Sequence, residues 1–141
     1  MTEHRHMTEI SRSRAPVTLR PTATVREAAR LMRQHRIGAI LVTDAQGALL
    51  GIFTGRDAVA RVLAEGRNAT HTTLAEVMTP DPATLPAHAH AIEALRLMHD
   101  GGFRHVPVVA EKRLAGIVSF ADFRGVEHAH HDEETGYWEI L

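Results

Sequence analysis

The chain has 141 residues, with 16 basic against 17 acidic side chains and a formal charge of −1. That balance gives no electrostatic case for a nucleic-acid or polyanion partner. No cysteine is present, which excludes disulfides and thiolate metal sites and fits a cytoplasmic protein.

Residues 1–13 read as a polar arm, because "MTEHRHMTEISRSR" lacks the apolar core of a signal peptide. Further along, no apolar run approaches the roughly 20 residues that span a bilayer, so no membrane partner is expected. An extended start, "APVTL" (15–19), is followed by a helix. Val25, Ala28, Ala29 and Met32 fall at i, i+3, i+4, i+7, the stripe of a helix with one buried face. Two short apolar runs come next, "AILV" (39–42) and "LLGIF" (49–53), separated by the turn-forming "TDAQG". A second helix is predicted from near Arg56 to about Glu65.

The same order then returns. "DPATL" (81–85) repeats the extended start, and Ala91, Ala94, Leu95 and Met98 repeat the helical stripe. "VPVV" (106–109) and "LAGIV" (114–118) repeat the strands, with a helix start near Ala121. Glu27, Ala28, Arg30, Leu31, Met32 and Val42 match Glu93, Ala94, Arg96, Leu97, Met98 and Val108. Two copies of a β-α-β-β-α unit are therefore expected, one over 14–70 and one over 71–127, with a short connection near "EVMTPDP" (76–82). A unit this small exposes one sheet face, and two copies most simply bury those faces together. Residues 128–141 form a tail.

The strand-to-helix corners repeat most closely: "GIFTGRD" (51–57) and "GIVSFAD" (116–122). Thr54-x-x-Asp57 and Ser119-x-x-Asp122 have the spacing of a helix capping box, with Asp in place of Glu or Gln. A carboxylate there also suits a sugar, since its two acceptor oxygens match two neighbouring hydroxyl donors. Either role, or both together, accounts for the spacing. Gly51 and Gly116 mark close backbone approach, by a ligand or by packing.

The order of elements, with "LVTDAQGALLGIFTGRD" and "HVPVVAEKRLAGIVSFAD", resembles the cystathionine-β-synthase (CBS) domain, and the tandem resembles a CBS pair, or Bateman module. The resemblance covers roughly residues 14–127. It implies an α/β fold of two repeats packed sheet to sheet with pseudo-two-fold symmetry. It implies a regulatory, non-catalytic module that binds an adenosine-containing ligand (AMP, ADP, ATP, NAD or S-adenosylmethionine) in clefts between the repeats and associates as a homodimer, with a protein target possible. By position, Asp57 and Asp122 would hold ribose hydroxyls, with Thr54 and Ser119 beside them. Arg56 in the first copy, and Arg104 and His105 in the second, would stand on the phosphate side. Ile52 and Ile117, with Val17–Thr18 and Ala83–Thr84, would line an adenine slot. The first copy has Gly38 and Ala39 where the second has Arg104 and His105, so the two sites are not expected to behave alike.

Other classes compete. The same fold with empty clefts would be a structural or interaction module. Eleven histidines raise a metal-responsive reading: "EHAHHDEE" (127–134) clusters Glu127, His128, His130 and His131, and "EHRH" (3–6) adds two more. "ETGYWEIL" (134–141) carries the only Tyr and Trp and suggests a docking tail. An enzyme is not expected: the chain has no P-loop, no Gly-x-Gly-x-x-Gly and no Ser-His-Asp set at readable spacing.

Overall fold

The computed structural model describes residues 15–111 and 113–123. The expected arm and tail, with their histidine clusters, lie outside the described residues. Within them the fold is mixed α/β with two sheets, and the chain divides into two compact units. One is built on Pro16–Pro82; the other holds Ala83–Glu111 and residues 115–123.

In the first unit, β1 (Thr18–Leu19) leads to α1 (Val25–His35), then β2 (Ala39–Thr43) and β3 (Leu49–Thr54). A helical stretch follows. It opens as a single α-turn, α2 (Gly55–Asp57), and continues as π-helix over Ala58–Leu63. The wider winding shows in bonds five residues apart, from Ala64 N–H to Val59 C=O and from Arg67 N–H to Val62 C=O. A four-residue helix, α3 (Leu74–Val77), and β4 (Thr79–Pro80) complete the unit. The sheet runs β1-β2-β3-β4, with β1 parallel to β2 and the other pairs antiparallel.

The core of this unit follows from strand alternation. Ile40, Val42 and Phe53 point to one sheet face, where Val25 and Ala28 of α1 pack with Val62, Leu74 and Val77. Of the expected α1 stripe, Val25 and Ala28 are buried and Met32 is half-buried, but Ala29 is exposed. Leu31 packs against the cluster beside Met32. The larger side chain at i+6 covers what a second alanine would not.

The second unit holds β5 (Leu85–Pro86), α4 (Ala91–Gly101), β6 (His105–Ala110) and, from Ala115 on, β7 (Arg113–Ser119); the last element among the described residues is a 3₁₀ turn, Phe120–Asp122. Its sheet runs β5-β6-β7. Here the whole stripe, Ala91, Ala94, Leu95 and Met98, is buried with Val106, Val108 and Val118. The register repeats that of the first unit: Leu19 pairs with Val42, and Leu85 with Val108.

Residues 71–82, beyond the boundary drawn from the repeat, make their bonds in the first unit. Leu74 N–H donates to Ala23 C=O, Val25 N–H to Thr72 C=O, and β4 pairs Thr79 with Ile52 and Pro80 with Gly51.

Candidate functional site

Every α-helix here starts the same way. Thr24 with Glu27, Thr73 with Glu76 and His90 with Glu93 form reciprocal capping boxes. So do Thr54 with Asp57 and Ser119 with Asp122, at the two repeated corners. The capping expectation therefore holds at both. Thr54 N–H and Oγ1 donate to Asp57 Oδ2 at 2.9 and 3.0 Å, and Asp57 N–H returns to Thr54 Oγ1 at 3.3 Å. In the second unit, Ser119 N–H donates to Asp122 Oδ2 at 2.7 Å.

The two corners share their backbone. Thr54 has φ −115° and ψ 167°; Ser119 has φ −114° and ψ 162°. Each is tied to the strand beside it by one equivalent bond, Gly55 N–H to Gly38 C=O and Phe120 N–H to Arg104 C=O. The pairing of Gly38 with Arg104 drawn from sequence is thus the pairing the fold makes.

Around that shared frame the side chains differ. In the first unit, Ile52 and Thr54 lie two apart on β3 and so share a face. Strand register carries that face across the sheet as the row Thr18, Leu41, Ile52, Thr79. Thr18 therefore joins Ile52 and Thr54. Its neighbour Val17 packs instead against the helix-side core. Arg56 is exposed beside a half-buried Asp57.

Gly51 has a local explanation. A Cβ there would come within 2.5 Å of Met78 Sδ and 2.9 Å of Thr79 C=O, so the close approach is by α3–β4 of the same unit.

In the second unit, Ile117 is buried and shares a face with half-buried Ser119. Arg104 is exposed and its guanidinium lies 4.6 Å from the Phe120 ring centroid, a cation–π stack. His105 opens β6, half-buried. Ala83 and Thr84 are exposed just ahead of β5.

One residue escaped the sequence reading. Arg61 Nε lies 3.6 Å from Asp57 Oδ1, and its Nη1 donates to Met78 C=O at 2.9 Å and Val77 C=O at 3.3 Å. Its i+4 spacing from Asp57 was a readable signal; the carbonyls, far along the chain, were not.

Among the described residues no three His, Cys, Asp or Glu side chains gather as a metal site, and no helix is long and apolar enough to cross a membrane.

The family model for the CBS domain matches residues 8–64 and again 74–128. The chain belongs to the CBS domain family. A CBS domain-containing protein, YhcV of Bacillus subtilis, is 38% identical over 105 residues, covering 74% of each chain. The mitochondrial CBS domain-containing protein CBSX3 of Arabidopsis thaliana is 36% identical over 115 residues, 78% of this chain and 56% of that protein. The chain spans only 17% of another Arabidopsis thaliana relative, CBSCBSPB2. Among solved structures, the CBS-domain protein ATU1752 of Agrobacterium tumefaciens superposes with a TM-score of 0.77 at 36% identity, over 84% of this chain and 95% of that one. A CBS domain protein of Pyrobaculum aerophilum, complexed with AMP, has a TM-score of 0.82 at 24% identity over 92% and 99%. The chain thus carries a CBS pair.

Proposed function

We propose that this CBS pair senses an adenine nucleotide or related adenosyl ligand, with Asp57 and Asp122 each able to hold ribose hydroxyls. The observation that carries the reading is the duplicated corner: one backbone geometry, one hydroxyl and one carboxylate, repeated in both units. Asp57 Oδ2 is engaged by Thr54, while Oδ1 is turned toward Arg61 at ion-pair distance. A diol donating to such a carboxylate makes charge-assisted bonds of about 1.5–3 kcal/mol each. Ile52 and Thr18, or Ile117, offer the apolar and polar neighbours of a base; Arg56, or Arg104 and His105, serve the phosphate side. That a protein of the same fold holds AMP supports the class of ligand. Because the second unit stacks Arg104 on Phe120 where the first has Gly38 and Gly55, the two corners differ in affinity.

Titration calorimetry of the full chain with AMP, ADP, ATP, NAD and S-adenosylmethionine is the direct test. Heat with none of them, on folded protein, removes the nucleotide reading and leaves the fold. Asp57→Glu and Asp122→Glu separate capping from ligand holding, since Glu27 and Glu76 already complete boxes here. The lengthened side chain keeps the cap and moves the carboxylate. Affinity is expected to fall about tenfold, or about 1.4 kcal/mol, with unfolding changed by under about 0.5 kcal/mol. Unchanged affinity in both variants would reduce the carboxylates to caps.

We further place the module in the cytoplasm as a homodimer acting on a protein target. The cysteine-free composition supports the compartment, and the exposed Val59 and Leu63 support association.

A further inference from the structure

This inference rests on the nucleotide reading of the Thr54–Asp57 corner and concerns how occupancy there is passed on. Asp57 is only 13% exposed at its side chain, and its two oxygens face different partners. Oδ2 takes the Thr54 amide and hydroxyl, while Oδ1 faces Arg61 Nε at 3.6 Å. The same guanidinium reaches across to Val77 and Met78, the last carbonyls of α3. The guanidinium there supplies a donor to carbonyls at the end of a helix one turn long. From Met78 the chain enters β4, which pairs back to Ile52, two residues before Thr54. The contacts close a ring: Thr54, Asp57, Arg61, Met78, Thr79, Ile52. Past β4, Asp81 N–H bonds Leu50 C=O, and the chain then leaves the first unit.

We propose that Arg61 is a positioning residue that couples the Asp57 carboxylate to the Val77–Asp81 segment, the covalent exit from the first unit. Hydroxyl donors arriving at Oδ1 draw carboxylate charge toward the ligand and weaken its pull on Arg61. The guanidinium then settles on the Val77 and Met78 carbonyls, so the restraint on the exit segment changes with occupancy. Arginine suits the task because its planar fork spans two sites; a lysine ammonium is a single point charge.

Amide hydrogen exchange on the full chain tests this, read at Met78 and Asp81, whose N–H groups bond Leu74 and Leu50 carbonyls. Without ligand, Asp57→Asn is expected to change exchange at these two amides about threefold, and to have no such effect in an Arg61→Gln background. Equal effects in both backgrounds, or none in either, overturn the coupling. With AMP as probe, the wild-type chain should show an exchange change at the same amides. Arg61→Gln should still give binding heat, more weakly, with that change gone, and Arg61→Lys should not restore it. A response that survives Arg61→Gln overturns the proposal. If AMP gives no heat with wild-type protein, the nucleotide reading falls for that probe, while the ligand-free arm still decides the coupling.

Discussion

Arg36 closes α1 with φ +55°, in the left-handed region that disfavours a side chain, whereas its counterpart after α4 is Gly102 at φ +70°. Both make the same ending: the next amide, Ile37 or Phe103, bonds back to Met32 or Met98 C=O. Glycine fits this conformation without strain. Arg36→Gly should therefore stabilise the protein by about 0.5–1 kcal/mol, read as a higher urea midpoint at unchanged slope, and Gly102→Arg should do the reverse. At this scale much was legible in the sequence. The hydroxyl-x-x-Asp spacing marked both corners, and the stripe at Ala91, Ala94, Leu95 and Met98 marked a buried face. Arg61 was not legible as a link, because its carbonyl partners are brought to it only by the return of β4 to β3. Nor was the split between Val17 and Thr18, since which of two neighbours faces the core depends on the register with β2.

Among the elements, α3 and β4 were read from sequence as a mere connection. Four and two residues are too few to show a period of either 3.6 or 2. The capping box at Thr73 is what a short helix like α3 depends on. Thr73 N–H and Oγ1 donate to Glu76 Oε2 at 2.7 and 3.0 Å, and Arg67 lies 3.6 Å from Oε1. The backbone bond from Thr73 comes first in holding the Glu76 carboxyl below its ordinary 4.5, followed by the hydroxyl bond and the Arg67 charge. A depressed carboxylate pKa means a stabilising contribution that is present above the ordinary range. It is lost as pH falls through the lowered folded value. Glu76→Gln should thus lower the thermal midpoint at neutral pH, with the gap to wild type narrowing as both are acidified below 4.5. A gap that persists in acid would assign the effect to packing instead. The π-helix was equally out of reach. Sequence showed a helix after Arg56, but a period of 3.6 gave no sign of the wider winding at Ala58–Leu63.

For the whole molecule, the widened helix presents Val59 at 60% and Leu63 at 72% exposure, the two large apolar side chains left open among the described residues. If a second copy covers them, Val59→Asp with Leu63→Asp should raise the dimer dissociation constant at least about tenfold in analytical ultracentrifugation, while leaving thermal unfolding of the isolated chain nearly unchanged. A dimer indifferent to both would have to use another face. Two of the sheet edges are poor candidates for that face. The outermost strand after β3 is β4, two residues ending in Pro80; the outermost strand beside β6 is β5, two residues ending in Pro86. A proline brings no N–H to a neighbouring chain, and so short a strand gives a would-be partner almost nothing to zip against. By folding the linker back as β4, the chain covers a strand edge that residues 14–70 alone would leave open. A fragment cut at residue 70 should therefore scatter more light than one cut at residue 82 at equal concentration, because the stretch between the repeats is what occupies Gly51 and Ile52 of that edge.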